Sequence, residues 1–408
     1  MTETNFKHTD LGLIPHDWEV KTLADVGTIR MCKRVMKYQT SESGDIPFYK
    51  IGTFGKQADA FISKELYNEF RSKYNYPKKG DILLSAAGTI GRTVVFDGKP
   101  AYFQDSNIVW IENNEQLVVN SLLYYIYHRV NWVTDTGTIP RIYNGNVSAI
   151  SFPLPPTLAE QERIAGALSS IDTLIGALTE QIEKKRHIKQ GTMQQLLTGK
   201  KRLAGFTGAW KSVRLGELCH LFGRIGFRGY TKNDLVEKGM GAITFSPSDI
   251  HDQKIDYSNC DYISFHKYEE SPEIKVFNGD IIFGKTASIG KCAIIDKLKE
   301  KATINPQFVV LKKFKCNNYF LYYKLIDKPF QTQVLTICGG STIPTMSQEK
   351  LKEQELLFPP TIAEQSAIAA VLSRMDTEIA ALEQKRDKYI AIKSGMMQNL
   401  LTGKIRLV

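Results

Sequence analysis

Apolar positions recur at spacings of four and three residues along one long stretch of the chain. The positions concerned are Ile164, Leu168, Ile171, Ile175, Leu178 and Ile182. This spacing places the apolar side chains on one stripe of an α-helix, as at the a and d positions of a coiled coil. The pattern therefore predicts a single long helix over residues 157–203.

The predicted helix has recognisable start and stop signals. Pro155 and Pro156 precede it, and the residue ahead of a proline is pushed out of the helical region. Thr157 and Glu160 have the spacing of a capping box, in which each satisfies a backbone N–H at the helix start. Gly199 follows two leucines, where a residue of left-handed conformation commonly ends a helix.

The chain contains this stretch twice. Residues 358–407 align with residues 154–203 without a gap, at an offset of 204 positions, and more than half of the aligned residues are identical. Thr361 and Glu364 repeat the capping box. The apolar stripe is repeated by Ile368, Leu372, Met375, Ile379 and Leu382. A duplicated helix with an apolar stripe has its own copy as a candidate partner, so we expect the two helices to pack against each other.

The regions outside the helices are predicted to be mixed α and β. Short β-branched or apolar runs bounded by Gly, Asp and Pro predict strands at 81–85, 93–96, 107–111, 280–283, 292–295 and 308–311. Helices are predicted around 119–128 and 318–325. The expected class is α+β, with an irregular sheet dominating each region.

The two regions share a frame but have diverged in sequence. Trp18 corresponds to Trp210, Gly80 to Gly279 and Thr138 to Thr342, at offsets that grow from 192 through 199 to 204. Insertions therefore separate the matching points, and little matches between them. We predict domains at 1–156 and 205–360 and helices at 157–204 and 361–408. The helices would share one task, while the two domains meet different targets.

Charge favours a polyanionic partner. The chain has 53 Lys and Arg against 43 Asp and Glu, for a net charge of +10. Nucleic acid is the commonest such partner, although many basic proteins bind nothing acidic. The six cysteines are dispersed, which is typical of free thiols in a reducing cytosol. No run approaches the roughly 20 apolar residues of a membrane span, so we expect a cytoplasmic chain without a membrane partner.

One nucleotide-binding motif occurs, and we reject it. Residues 279–286 match G-x-x-x-x-G-K-T, the phosphate loop. A phosphate loop follows a strand and opens a helix. Here the middle positions are themselves predicted to be a strand, and another strand follows. The corresponding stretch from Gly80 contains no lysine.

The loops at 85–92 and 284–291 are candidate DNA contacts, because each combines small hydroxyl residues, glycines and a terminal basic residue. Basic and aromatic residues near each domain's start are further candidates, since Arg and Lys neutralise phosphates. A tight hairpin and a solvated charge run are the structural alternatives. The candidate DNA-binding residues are Lys33, Arg34, Lys37, Tyr38, Ser85, Thr89, Arg92, Arg141, Arg224, Arg228, Tyr230, Lys232, Lys285, Thr286, Ser288 and Lys291.

Signatures of catalysis are missing from the sequence. It has no N-P-P-Y or D-P-P-Y tetrapeptide for amino-group methylation, no glycine-rich cofactor loop after a first strand and no metal-ligand cluster. We therefore predict no catalytic residue, no metal site and no cofactor bound by this chain.

Two repeated motifs carry a family resemblance. Residues 137–142 (G-T-I-P-R-I) lead to residues 154–164 (L-P-P-T-L-A-E-Q-E-R-I), and residues 341–346 (S-T-I-P-T-M) lead to F-P-P-T-I-A-E-Q-S-A-I from Phe358. The chain thereby resembles the specificity (S) subunits of type I restriction–modification systems over nearly its whole length. One departure is that Ser341 stands where Gly137 does in the first motif.

The resemblance implies a DNA-recognition role. Two target-recognition domains in tandem pseudo-repeat would each read one half of a bipartite, asymmetric sequence in double-stranded DNA. The two long helices between them would pack as an antiparallel coiled coil and fix the gap between the half-sites. About 40 helical residues at about 1.5 Å each span roughly 60 Å, ample for one DNA turn of about 34 Å.

The resemblance also implies the partners. The helices would dock two methylation subunits, which carry S-adenosylmethionine and methylate adenine at N6. Restriction subunits that use ATP and Mg²⁺ would join the assembled complex. We expect a docking face with the glutamines Gln161, Gln194, Gln195, Gln365 and Gln398. The competing hypotheses are a stand-alone coiled-coil scaffold or regulator and a phosphate-loop enzyme.

Overall fold

A computed structural model describes residues 5–130, 132, 144–225, 229–338 and 345–407. The chain forms two compact units. Unit 1 comprises Met1–Thr179 and Gln384–Val408, and unit 2 comprises Glu180–Glu383. Each unit contains one of the two predicted domains together with a part of each long helix.

The described part of unit 1 before the first long helix is built mainly from short strands with four short helices. Its elements before the first long helix are β1 (Phe6–Thr9), β2 (Gly12–Pro15), β3 (Glu19–Thr22), α1 (Leu23–Val26), β4 (Gly27–Met31), β5 (Ile46–Tyr49), β6 (Phe61–Ile62), α2 (Lys64–Lys73), β7 (Ile82–Ser85), β8 (Thr93–Val95), β9 (Tyr102–Phe103), β10 (Ile108–Asn113), α3 (Asn120–Arg129), α4 (Asn144–Ser148) and β11 (Ser151–Leu154). A 3₁₀ turn spans Lys37–Gln39.

The central sheet of unit 1 has the strand order β4-β10-β7-β8 and is antiparallel throughout. A second sheet has the order β6-β5-β9, in which β5 and β9 are parallel. Strands β7 and β10 are largely buried, which fits their continuous apolar sequences, because a strand covered on both faces has no polar alternation.

The first long helix, α5 (Leu158–Leu196), follows β11 directly. Its first part, to Thr179, belongs to unit 1, and the rest belongs to unit 2. Thr157 accepts a hydrogen bond from the Glu160 backbone N–H at 3.2 Å, which confirms one half of the capping box. The chain leaves the helix through Gly199, whose φ of +71° is the left-handed conformation predicted there.

Unit 2 has a similar composition of short elements. They are β12 (Lys211–Arg214), α6 (Leu215–Leu218), β13 (His220–Phe222), β14 (Leu235–Val236), β15 (Gly241–Phe245), β16 (Ile250–His251), β17 (Lys254–Ile255), β18 (Asp261–Ser264), α7 (Phe265–Glu269), β19 (Ile281–Gly284), β20 (Cys292–Ile294), β21 (Ala302–Ile304), β22 (Phe308–Lys312), α8 (Asn318–Ile326), α9 (Lys328–Cys338), α10 (Gln348–Lys352) and β23 (Glu355–Phe358).

The sheets of unit 2 repeat the topology of unit 1. The order β13-β22-β19-β20 corresponds to β4-β10-β7-β8, and the pair β12-β23 corresponds to β3-β11. A four-stranded sheet β14-β18-β15-β21 again contains one parallel pair, β15 with β21. The duplication seen in the sequence of the helices therefore extends to domains whose sequences barely match.

The second long helix, α11 (Ile362–Leu400), contributes its first part to unit 2 and its last part to unit 1. In unit 1, Glu160 pairs with Arg406, and Asp172, further along α5, pairs with Lys393. Residue numbers therefore rise along α5 in the direction in which they fall along α11. The helices therefore run antiparallel, which confirms the predicted α+β class with two tandem domains and an antiparallel helix pair.

Candidate nucleic-acid interface

The loop that matched the phosphate-loop motif joins two strands. Strands β19 and β20 pair antiparallel on either side of residues 285–291, and no helix begins there. Ala287 has a φ of +59° and Gly290 a φ of +84°, which turn the backbone tightly. This geometry is a hairpin and not the strand-to-helix turn that cradles phosphates.

The two lysines of this loop have different surroundings. The Lys291 ammonium donates to the backbone oxygens of Pro247 at 2.5 Å and Ile250 at 3.3 Å, so it holds the loop to the rest of unit 2. Lys285 is fixed through its backbone, which donates to Gln307 and accepts from Met346, each at 2.8 Å. Its half-buried side chain makes no ion pair within the described part of the chain.

In unit 1, the corresponding loop uses its polar groups internally. The Ser85 hydroxyl donates to the Thr89 carbonyl at 2.5 Å and accepts from the Arg92 N–H at 2.9 Å, and Ser85 is 1% exposed. Arg92 donates through Nη1 to the Phe54 carbonyl at 2.9 Å. These contacts order the loop. They leave the exposed residue Thr89 as the candidate with the freest side chain.

The basic and aromatic cluster of unit 1 projects one aromatic ring into solvent. Tyr38 is 84% exposed and lies in the 3₁₀ turn that also carries Lys37. Lys33 lies over the Tyr74 ring at 5.1 Å, and Arg34 pairs with Asp105 at 2.8 Å. The cluster therefore presents cations and an exposed ring on an ordered turn.

The cluster of unit 2 is more enclosed. Arg224 donates to the Ile304 carbonyl at 3.0 Å and lies over the Tyr230 ring at 5.6 Å. The Tyr230 hydroxyl accepts from Thr244 at 3.4 Å, and burial raises the pKa of Tyr230. Lys232 lies in a neighbouring 3₁₀ turn, Lys232–Asp234. Two other candidates, Arg141 and Arg228, lie outside the described residues, as do residues 137–142 and 341–344 of the repeated motifs.

The predicted helix seam is apolar and mostly covered, and it does more than join two helices. Buried seam positions are Ile164, Leu168, Ile171, Leu178, Ile182, Ile368, Leu372 and Ile379, while Ile175, Met375 and Leu382 are half-buried. In unit 1, Leu168 shares one hydrophobic cluster with Trp18 and with Leu400 of α11. The seam is thus part of the core of the domain as well as of the helix pair.

An arginine joins three elements in unit 1. Arg406, beyond the end of α11, donates to the Glu160 carboxylate in the first turn of α5 through Nε at 2.5 Å and Nη2 at 2.8 Å. It also pairs with Asp17 at 2.9 Å and lies over the Trp18 ring at 5.7 Å. Hydrogen bonds from Arg406 hold the pKa of Asp17 below its usual value. The Glu160 carboxylate thus binds Arg406. This corrects the second half of the predicted capping box, in which that carboxylate would bind the Thr157 backbone N–H.

A similar junction is present in unit 2, where Arg202 and Glu364 lie 204 positions from Arg406 and Glu160, and Trp210 lies 192 positions from Trp18. Arg202 donates to Glu364 through Nε at 2.5 Å and Nη2 at 2.7 Å and lies over the Trp210 ring at 5.8 Å. The side chain of Glu364 is 0% exposed, and that of Glu160 is 2% exposed. Thr361 accepts from the Glu364 N–H at 3.3 Å, as Thr157 does from Glu160.

A second ion pair between the helices also recurs. In unit 1, Lys393 contacts Asp172 at 2.6 Å, and the Tyr125 hydroxyl of α3 donates to the same carboxylate at 3.0 Å. The partners in unit 2 are Lys189 and Asp376, also 2.6 Å apart. There Tyr323 of α8 donates to Asp376 at 2.7 Å. We call these four contacts the inner pairs: Glu160–Arg406, Asp172–Lys393, Glu364–Arg202 and Asp376–Lys189.

Two of the five glutamines predicted to form a docking face are buried, and for them that prediction is wrong. Gln161 accepts from the Val119 N–H at 3.0 Å and donates to the Leu117 carbonyl at 3.0 Å. Gln365 accepts from the Asn317 N–H at 2.8 Å. Both therefore bind the domain's backbone. Gln194, Gln195 and Gln398 are exposed.

The described residues contain neither a cluster of His, Cys, Asp or Glu that could hold a metal ion nor a helix suited to crossing a membrane. What sequence reasoning missed are the arginines and tryptophans of the two junctions. Their signal was present, because Arg202 and Arg406 are identical in the two copies although they lie off the apolar stripe.

Comparison with known proteins decides the family. Residues 15–185 and 208–391 match the model of the type I restriction modification DNA specificity domain. The chain belongs to this family. The two matches fall on the two halves of the duplication, so each half is one specificity repeat.

Relatives in this family differ in how much of the chain they cover. A Haemophilus influenzae protein, provisionally named a type I restriction enzyme specificity subunit, is 58% identical over 163 residues, which are 40% of this chain and 42% of that protein. A Methanocaldococcus jannaschii protein, provisionally named the MjaX specificity subunit of a type I restriction enzyme, is 27% identical over 431 residues, covering 99% of this chain and 97% of its own length.

A solved structure shares the fold. The crystal structure of a type I restriction–modification S subunit from M. genitalium superposes with a TM-score of 0.63 at 14% identity, covering 98% of this chain and 97% of that one. The fold of the specificity family therefore spans both repeats and both long helices of this chain.

Proposed function

We propose that this specificity-family chain recognises DNA for a type I restriction–modification complex, with each domain reading one half of a bipartite, asymmetric target. The observation that carries the proposal is the contrast within the duplication. The inner pairs recur in both units, whereas the domain sequences between the helices have diverged. A repeated helix pair that carries two divergent domains suits the recognition of two different half-sites.

In this proposal the chain itself is not catalytic. S-adenosylmethionine is bound by the methylation subunits that dock on the helices, and ATP with Mg²⁺ by the restriction subunits. The net charge of +10 supports a polyanionic ligand. The exposed Gln194, Gln195 and Gln398 are available to a docked protein. Among the basic and aromatic candidates that the structure describes, Lys37, Tyr38, Lys232 and Lys285 make no side-chain hydrogen bond, ion pair or ring contact with other described residues.

The experiment is a domain exchange read by methylome sequencing. Residues 205–357 are replaced by the corresponding domain of a relative, and the chain is expressed with its methylation subunits. One half-site of the methylated motif should change while the other half-site and the gap stay the same. Lengthening α5 and α11 together near Leu178 and Leu382 should change the gap alone. A motif that changed in both halves would contradict the proposal.

A further inference from the structure

Ion pairs between the long helices recur only in part. In unit 2, Lys185 pairs with Glu378 at 2.7 Å and Arg186 with Glu383 at 2.6 Å, on the solvent side. The positions 204 residues beyond Lys185 and Arg186 are Tyr389 and Ile390, which cannot form such pairs. The inner pairs, by contrast, keep both partners in each unit, with distances of 2.5 and 2.6 Å.

Stability alone does not account for this pattern. A carboxylate as covered as Glu160 or Glu364 has lost its hydration, and a well-packed apolar pair of similar volume often stabilises a protein as much or more. Exposed pairs cost less to form, yet these are the ones that the duplication has not kept. The inner pairs therefore serve something that an apolar pair would not supply.

The apolar seam between the helices is poor at fixing their register. It consists of Ile, Leu and Met side chains at spacings of three and four, so sliding one helix by a turn, about 5.4 Å, again brings apolar groups together. The same slide would separate each inner pair far beyond contact and leave unpaired charges at buried positions (Glu160, Glu364) and half-buried ones (Asp172, Asp376). Buried polar groups fix the register of coiled coils in this way.

The inner pairs also reach the domains. The Asp172 carboxylate receives Lys393 from α11 and the Tyr125 hydroxyl from α3, and the Lys393 ammonium lies 5.6 Å from the centre of the Tyr125 ring. Asp376 receives Lys189 and Tyr323 in the same way, with Lys189 5.5 Å from the centre of that ring. One carboxylate thus fixes both the partner helix and the helix by which the domain is attached.

We propose that the inner pairs determine the register of α5 against α11 and thereby the gap that the chain accepts between the two half-sites. They are specificity-determining positions that act on gap length. This inference rests on the proposed function, because it assumes that two domains read two half-sites. It adds that side chains of the helix pair decide which spacing is read.

The test uses the full complex with its methylation subunits. The neutral variant carries Asp172→Asn, Asp376→Asn, Lys189→Met and Lys393→Met, which remove the charges while an amide oxygen still accepts from each tyrosine. The control variant, Lys185→Ala with Glu378→Ala, removes an exposed pair from the same helices. Methyl transfer from S-adenosylmethionine is measured on duplexes with fixed half-sites and varied gaps.

We expect the wild type and the control variant to modify one gap length. The neutral variant should modify duplexes with longer or shorter gaps at rates raised about tenfold relative to the original gap, because the competing registers leave fewer charges unpaired once Asp172, Asp376, Lys189 and Lys393 are neutral. An assembled neutral variant with the wild-type gap preference would overturn the proposal.

A neutral variant that failed to assemble would be replaced by Asp172→Asn with Asp376→Asn, which conserves side-chain volume and keeps both lysines. If that variant also failed to fold, the inner pairs would be required for folding and the register proposal would be overturned. If the wild type itself showed no two-part motif with a fixed gap, the proposed function would fail instead, whatever the variants did.

Discussion

The Arg406 guanidinium donates two hydrogen bonds to the Glu160 carboxylate, at 2.5 and 2.8 Å, across 246 positions of sequence. Paired donors in this arrangement match the two oxygens of a carboxylate and give strong, directional bonds. The contact ties the chain beyond α11 to the first turn of α5. It therefore joins the two segments of unit 1 through Glu160, a carboxylate whose side chain is 2% exposed.

We predict that Arg406→Met lowers the free energy of unfolding of unit 1 by about 3 kcal/mol, because it leaves the Glu160 carboxylate covered and unpaired. Arg202→Met should do the same in unit 2. Arg186→Met breaks only exposed pairs and should cost less than about 1 kcal/mol. Hydrogen exchange resolved by unit measures all three. Equal effects of Arg406→Met and Arg186→Met would contradict the prediction.

Leu168→Asp and Leu372→Asp are expected to unfold the domains as well as separate the helices. If the seam only joined the two helices, these substitutions would affect helix assembly alone. However, Leu168 and Leu372 lie in the hydrophobic clusters that also form the cores of their units, so a charge there costs several kcal/mol in both settings. Limited proteolysis should show the domain of unit 1 cleaved in Leu168→Asp and the domain of unit 2 cleaved in Leu372→Asp.

The matched control for those substitutions is Ile188→Asp, since Ile188 is on a long helix but 48% exposed. Its proteolysis pattern should equal that of the wild type. Intact domains in Leu168→Asp would show that the seam is separable from the domain core.

Lys285→Ala should weaken DNA binding of the complex almost equally on cognate and scrambled duplexes. Losing one phosphate contact reduces the slope of log K against log salt by about one unit. The measurement is a salt titration of binding. Lys291→Met is the control, because that ammonium is occupied by backbone oxygens, and its slope should remain that of the wild type. An unchanged slope in Lys285→Ala would remove Lys285 from the DNA interface.

We predict that Lys324 makes the stability of unit 2 depend on pH in the alkaline range. Its ammonium is buried and donates to the Leu197 carbonyl at 3.0 Å, and burial lowers its pKa from 10.5. Between the lowered pKa and 10.5 the unfolded chain binds the proton more tightly than the folded chain does. The free energy of unfolding contributed by this group therefore rises with pH across that interval.

The test compares wild type with Lys324→Met by chemical denaturation at increasing pH. The wild type should gain stability relative to the variant as pH approaches 10.5, since every other titrating group is common to both proteins. Ile126, which occupies the matching position in α3, shows that an apolar side chain is accepted there. Parallel stability curves would show that Lys324 titrates normally.

Much of the architecture was predictable because it depends on local pattern. The apolar stripe and Thr157 predicted the start of α5 to within a residue, although the helix ends at Leu196 and not at residue 203. The short apolar runs predicted β7, β19 and β22 to within a residue or two. The pairing of β5 with β9 was not predictable, because a parallel pair joins segments far apart in sequence and leaves no local signal.

The candidate DNA-binding residues were harder to predict, because the contacts of a side chain depend on tertiary structure. Residue type shows that Lys291 or Arg92 could contact a phosphate. It does not show whether the side chain already donates its hydrogen bonds to a backbone carbonyl, as both of these do. Gln161 illustrates the same point on the helix. Its position suggested solvent exposure, whereas tertiary packing places it against the backbone of Val119.

The way the helices hold the domains has an evolutionary consequence. Gln161 and Gln365 bind the domains through the backbone N–H groups of Val119 and Asn317, and a backbone N–H remains whichever non-proline side chain replaces valine or asparagine. Such an attachment makes little demand on the attached sequence. A domain acquired by recombination in either unit would meet the one glutamine of that unit and find its attachment point intact, so under the proposed function new recognition surfaces could be inherited without changes in the helices.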